Sequence, residues 1–500
     1  MAQGAFEAGN DCYDMICYQR INQEAQLDTV VPDTMPDVAE IICSGGFVSL
    51  RSKNVSGGTA EIEVSVTAYV LYTPEDGGGP RSLEAALPVK LAAQNDAITA
   101  GDLCNACVML EAVEARLLNP RKVMIRAELG GSLSVYSLRG STICCCAPAD
   151  GVYLKNESCD VTDAELVREK TFILTDEYML PETAPAAQLL CRRAELHLDE
   201  ARPSGGRILL KGSAKSTLIY ETTSGGTAQA EFTSPFSQLI DCRADAADAF
   251  PELSLMLTGV YLELQPGTDG RTVSAELHVV AQCVLRVKRT QDYTADAYSN
   301  SFELETEHKE LKFCCVQSQA RLTQTVTESL ETPTPAAEVL DVYALPLKAE
   351  TDGTAVKLPA AVCLTYRDGS GGTVCIRRRI EITFVQPLSA GEELRTGCPE
   401  LCDVLAAPSA GGVQVRIRAV IPVQLVRCGS LSAVTAVRPT EKARDLSSEP
   451  SLVLVRAADG DDLWRLAKEN CSSVEAIKSA NSLADAPAGW SRMIIIPRTK

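Results

Sequence analysis

Histidine is nearly missing from this 500-residue chain, with three copies, and tryptophan is rarer still at two. So little imidazole leaves acid–base chemistry few players outside the carboxylates. Positive charge is also short: 47 Lys and Arg stand against 66 Asp and Glu, a formal net charge of −19. Such an acidic chain is poorly suited to wrap nucleic acid or to dock electrostatically on an anionic membrane. No apolar run approaches the ~20 residues of a membrane-spanning helix, so no transmembrane anchor is expected. The stretch MAQGAFEAGNDCYDMICYQR carries neither a basic region nor an apolar one, and no secretory signal is expected from it. No Walker loop, H-E-x-x-H or G-x-S-x-G motif occurs. The expectation is therefore non-enzymatic, with no catalytic residue, cofactor or metal ligand assigned.

What the chain does have is enough apolar content to fold: 45% hydrophobic residues and 23% charged ones. That balance suits ordinary cores, and the length suits three or four domains. There are also twenty cysteines. Without an export signal they are expected as reduced thiols of a cytoplasmic protein rather than a disulfide framework. The run Cys144-Cys145-Cys146 and the neighbours Cys314-Cys315 fit that reading. Cys104 and Cys107 form a CxxC pair, but His197, His278 and His308 are far from it in sequence, so a zinc site is not expected there.

Internal repetition carries most of the remaining information. VVPDTMPDVAEII (30–42), YMLPETAPAAQLL (178–190) and SLETPTPAAEVLD (329–341) share a proline, two small or short residues and then aliphatics. The shared prolines, Pro36, Pro185 and Pro335, are spaced by 149 and 150 residues. A tyrosine follows each: Tyr72 in TAYVLYTPEDGGG, Tyr220 in KSTLIYETTSGG and Tyr366 in AVCLTYRDGSGG. Each closes an alternating apolar run before a glycine-rich turn, the pattern of a strand entering a hairpin. These tyrosines are expected to bury their rings and keep their hydroxyls in water. A third landmark is another alternating run late in each unit: KVMIRAEL, RTVSAELHVVAQCVLRV and GVQVRIRAVIPVQLV. In the last, Val413, Val415, Ile417 and Ala419 should face inward, and Gln414, Arg416 and Arg418 outward. The reading is mainly β: three tandem β-sandwich or barrel-like repeats, each large enough to own a core. The expected bounds are 1–26 for an N-terminal segment, then 27–145, 160–290 and 310–430 for the three β-domains.

A different pattern ends the chain. RPTEKARDLSSEP (438–450) is rich in charge, Ser and Pro and is expected as a flexible linker. Residues 451–500 then read as strand–helix–helix–strand, with LVLVRA before the helices and MIIIP after them. Asp462 can cap a helix starting at Leu463, in which Leu466 and Ala467 complete an apolar stripe. Ser472 or Ser473 can cap a second helix containing Val474 and Ile477. From Leu452 onward there are seven basic and six acidic residues, so this unit is expected to stand electrostatically apart from a body of net −20.

Both patterns resemble known families. PDTMPDVAEII with the strand–tyrosine–turn that follows resembles the SPOCS domain, the repeated β-domain of spore coat assembly proteins in clostridia and their relatives. The second copy has Pro181-Glu182 where the first has Pro32-Asp33, and Ala186 in place of Asp37; the third has Glu331 in place of the first proline. The tail resembles a LysM domain through Gly460-Asp461, Leu463-Trp464, Leu466-Ala467, Val474, Ile477, Asn481, Leu483 and Ile496-Pro497. That likeness implies a shallow groove for N-acetylglucosamine glycans such as peptidoglycan. By position it would be formed by Gly460, Asp461, Asp462 and Leu463 on one side and Asn481, Ser482, Leu483 and Ala484 on the other. Asp462 replaces the family's frequent Thr or Ser, and Trp490 stands in the loop before the last strand. Trp464 is expected in the core and Trp490 exposed.

The order of parts implies a scaffold of spore coat assembly, at the forespore surface in the mother-cell cytoplasm. Its LysM-like tail would bind a coat morphogenetic protein of the SpoIVA type. The alternative is a peptidoglycan-binding protein of the wall or spore cortex.

Overall fold

The computed structural model describes residues 11–140, 145–146, 150–242, 249–444, 450–457, 462–483 and 492–499. The chain is mainly β, with several sheets and, among the described residues, two short helices near the end.

Strand pairing follows the same scheme three times. The first set is β1 (Asp11–Val30), β2 (Val38–Ser56), β3 (Thr59–Pro74), β4 (Arg81–Gln94), β5 (Leu103–Asn119) and β6 (Lys122–Gly140). Its first strand pairs with its last and the last with the fifth, while β2, β3 and β4 form a separate sheet. The second set is β7 (Val152–Met179), β8 (Ala186–Ser204), β9 (Arg207–Thr222), β10 (Thr227–Asp241), β11 (Ala249–Leu264) and β12 (Thr272–Ser299). Here β7 pairs with β12 and β12 with β11, and β8, β9 and β10 form the second sheet.

The third set is β13 (Phe302–Glu331), β14 (Ala336–Pro346), β15 (Glu350–Asp352), β16 (Ala355–Asp368), β17 (Thr373–Val385), β18 (Glu392–Thr396), β19 (Glu400–Ser409) and β20 (Gly412–Ala443). Again the first strand pairs with the last, which also takes β18 and β19, while β16 is flanked by β14, β15 and β17. A single residue pair, Tyr13 with Ala164, fuses the long sheets of the first two sets into one of six strands.

Alternation builds the cores. Along β4, Leu83, Ala85, Leu87, Val89, Leu91 and Ala93 are buried and their neighbours exposed, because successive side chains leave opposite faces of a strand. They meet Ile62, Val64 and Val66 of β3 and Val123, Ile125 and Leu129 of β6 in one cluster, so the two sheets of the first set close on each other. The third set packs likewise, with Val413, Val415, Ile417 and Ala419 buried and Gln414 and Arg416 exposed, as the alternation requires. Tyr72, Tyr220 and Tyr366 are fully buried, rings and hydroxyls together. The Tyr72 hydroxyl donates to the Pro36 carbonyl at 3.2 Å, and that of Tyr366 lies 3.0 Å from Thr334 Oγ1. In these two sets the proline and tyrosine landmarks touch each other. For Tyr72 and Tyr366 the wet hydroxyls expected from sequence are replaced by internal hydrogen bonds, while that of Tyr220 is buried without a partner.

Several boundaries differ from the sequence expectation. Residues 11–26 are no separate segment: β1 pairs with β6 along its whole length. The second and third sets run past 160–290 and 310–430, since β7, β12, β13 and β20 each span about thirty residues. The expected linker is strand in its first half, where Arg438 faces Glu305 and Ala443 faces Phe302; residues 445–449 lie outside the described residues. Arg438, Pro439 and Lys442 are exposed along the β13–β20 ladder, and local composition cannot tell such a wet strand from a linker.

Two disulfides correct the expectation of reduced thiols throughout. Cys314 and Cys428 face each other directly in the β13–β20 ladder, and Cys107 of the CxxC pair joins Cys398, so the first set is bonded to the third. Sequence separations of 114 and 291 residues hid both pairings. Cys104, the other member of the CxxC pair, lies outside both disulfides.

The three sets meet at a buried polar junction. Arg193 of β8 makes a two-pronged ion pair with Asp341 of β14 at 3.2 and 3.3 Å, and its guanidinium lies 4.1 Å from the centre of the Tyr343 ring. Arg193 also donates to the Tyr69 hydroxyl of β3, and Gln229 of β10 donates to Asp341 at 3.0 Å. Gly45 of β2 lies against the Tyr69 and Tyr343 hydroxyls, where a Cβ would have no room.

Candidate functional site

The tail consists of β21 (Leu452–Ala457), α1 (Leu463–Glu469), α2 (Val474–Asn481) and β22 (Arg492–Pro497), with the two strands antiparallel. Local chemistry sets each helix. Asp462 caps α1 by accepting from the Trp464 amide at 2.7 Å, and Ser473 caps α2 by accepting from the Ala476 amide at 3.1 Å. Leu463, Leu466, Ala467 and Ile477 then fall on the inner faces and pack against Ile494 and Ile496. So small a unit has little core to lose.

Among the residues expected to line a groove, the structure brings Leu463 and Leu483 into one apolar cluster, the first fully within it and the second at its margin. Asp462 and Asn481 are committed elsewhere. The Asp462 carboxylate caps the helix with one oxygen and pairs with Lys155 at 3.2 Å through the other. Asn481 clamps α2 to β22: its Oδ1 accepts from the Ile495 amide and its Nδ2 donates to the carbonyls of Ile477 and Ile495. Ser482 ends α2 in the left-handed region at φ 52° and is exposed. Gly460, Asp461, Ala484 and Trp490 lie outside the described residues.

The tail does not stand apart from the body. It is seated on the far end of the β7–β12 ladder, where a register shift between Thr294 and Asp296 marks a bulge. Bulges re-aim side chains, and Asp296 follows this one directly. Its carboxylate accepts from Trp464 Nε1 at 2.8 Å and from Lys468 Nζ at 2.8 Å on both oxygens. The Tyr298 ring stacks on Tyr153 and meets Trp464 edge-on, with centroids 4.9 and 4.8 Å apart. Its hydroxyl donates to the Ser472 carbonyl at 2.8 Å, which also accepts from Asn300. Trp464 is therefore a half-buried seam residue, where sequence placed it in the core. Asp296, Tyr298, Asn300 and Tyr153 were missed because their role depends on a contact over 150 residues away, although DYTADAYSN does break the apolar alternation around it.

This seat is pH-sensitive. Burial favours the neutral acid at Asp296, but the hydrogen bonds from Lys468 and Trp464 outweigh it and hold the carboxyl below its ordinary range. Its contribution is therefore complete above the unfolded value of about 3.9 and is lost as pH falls through the lower folded one. Asp296→Ala should weaken docking by about 1 kcal/mol or more, after discounting for partial exposure. Limited proteolysis at neutral pH should then release the tail from the variant faster than from the wild type, with the body intact. Equal rates would show that Asp296 does not hold it.

A second feature is the outer face of the two-stranded β21–β22 sheet. Leu452, Leu454 and Met493 are 50, 58 and 56% exposed there, while Ile494 and Ile496 on the other face are buried. In register, Leu454 faces Ile495 and Leu452 faces Pro497, so the exposed apolar side chains are contiguous. Contiguous exposed apolar surface marks contact with a partner more often than isolated exposed leucines do.

No helix among the described residues is long and apolar enough to cross a membrane. No protein-family model, curated protein or solved structure matches the chain.

Proposed function

We propose that the three strand sets are tandem SPOCS-like units and the tail a LysM-like unit, together a non-enzymatic scaffold for spore coat assembly. In this reading the chain works in the mother-cell cytoplasm at the forespore surface. The tail takes a protein partner, a coat morphogenetic protein of the SpoIVA type. The observation that carries the reading is the apolar outer face of the β21–β22 sheet on a tail pinned to the body by Asp296, Tyr298 and Asn300. A scaffold must hold its partner at a fixed geometry, and a seated module does so; a glycan-binding module needs only a tether. Sugar recognition also draws on polar groups that fix orientation, and here Asp462 and Asn481 are already bonded within the protein.

Retention of the full chain on immobilised SpoIVA-type protein, beside co-sedimentation with purified peptidoglycan, separates this from the glycan reading. Binding to the protein alone is expected. Co-sedimentation with peptidoglycan, without retention on the protein, would replace the scaffold reading by the glycan one.

A further inference from the structure

Where the second set meets the third, three side chains converge. His197 of β8 places its Nδ1 3.3 Å from Cys402 Sγ and 3.8 Å from Glu400 Oε2, and the three donor atoms lie within 4.8 Å of one another. Glu400 and Cys402 are alternate residues of β19 and so leave the strand on one face. A register shift follows at once, between Cys402 and Leu405, with Asp403 at φ 48°. The thiol is buried, and the imidazole and carboxylate are 14 and 18% exposed.

We propose that His197, Glu400 and Cys402 bind a zinc ion that ties the second strand set to the third. The donors are one imidazole nitrogen, one sulfur and one carboxylate oxygen. That mixture suits Zn²⁺ and disfavours Mg²⁺ and Ca²⁺, which take oxygen ligands. The separations of 3.3 and 3.8 Å are close to the edges of a tetrahedron around an ion about 2.0–2.3 Å from each donor. A supporting layer is already built. Glu195 Oε2 lies 4.0 Å from the other imidazole nitrogen, and Arg193 holds Glu195 at 3.1 Å. The free oxygen of Glu400 takes Arg321 at 3.1 Å, and Oε2 also accepts from the Leu198 amide at 3.2 Å. Metal-bound imidazoles and carboxylates are oriented by such outer partners. A cavity of about 190 Å³ opens beside Glu195, His197 and Glu400, with room for water as the fourth ligand. On binding, the Cys402 thiol loses its proton to solvent and the imidazole binds in its neutral form.

The test uses the full chain under reducing conditions without chelators. The wild type should retain one more equivalent of zinc after dialysis than Cys402→Ser or His197→Ala. Co²⁺ should give the wild type a thiolate-to-cobalt charge-transfer band that Cys402→Ser lacks and Cys104→Ser keeps. Glu195→Gln, which alters only the supporting layer, should weaken zinc binding about 10–100-fold. Equal zinc in wild type and Cys402→Ser would overturn the proposal. So would a wild type without the cobalt band, a result that depends on no variant's folding.

Discussion

Asp341→Ala should destabilise the whole body by about 3–5 kcal/mol, the cost of leaving a buried cation without its partner. Arg193 and Asp341 are 4 and 2% exposed, so water cannot replace the lost carboxylate. Burial opposes the Arg193 charge, and Asp341 is the first group that offsets it. Because the pair joins β8 to β14 and reaches Tyr69 of β3, the loss should be felt by all three strand sets together. Denaturant titration followed by a probe in each set should show one coordinated shift. A loss confined to the third set would mean that the junction does not couple them. The pair Arg193→Met with Asp341→Leu should recover much of the loss, since replacing both charges by apolar groups leaves no orphan.

Leu466→Ala should unfold the tail and leave the body standing. Leu466 is 3% exposed and packs with Leu463, Ile477, Ile494 and Ile496. Truncating a buried leucine costs about 2–5 kcal/mol, a large share of the stability available to so small a unit. Amide exchange should rise sharply over 452–497 while strands β1 to β20 stay protected. Protection unchanged in the tail would show that its seat on Tyr298 and Asn300, rather than its own core, maintains it.

What sequence could show here was local. Strand alternation at Val413 to Ala419 and the caps at Asp462 and Ser473 depend on neighbours within a few residues, and the structure has them as expected. The recurring proline and tyrosine landmarks fall at equivalent points of the strand sets because a strand leaving a turn repeats its local pattern. The contacts that join the sets leave no such trace. Arg193 meets Asp341 148 residues on, Trp464 meets Asp296 168 residues back, and Cys402 meets His197 across 205. No periodicity records which strand will lie beside which. Strand ends were also unreadable, because the outer parts of β1, β7 and β20 are wet on most sides and read as polar connectors.

The apolar face of the β21–β22 sheet carries the scaffold reading, and one measurement bears on it most directly: the dissociation constant of the full chain for purified SpoIVA-type coat protein, compared between wild type and Leu454→Asp. Leu454 is exposed, so the substitution should leave the circular dichroism spectrum unchanged. Loss of a hot-spot contact at the centre of an interface costs about 2 kcal/mol or more, roughly a 30-fold weaker complex. That weakening is the expected result. An unchanged dissociation constant for Leu454→Asp, with the variant folded, would contradict it.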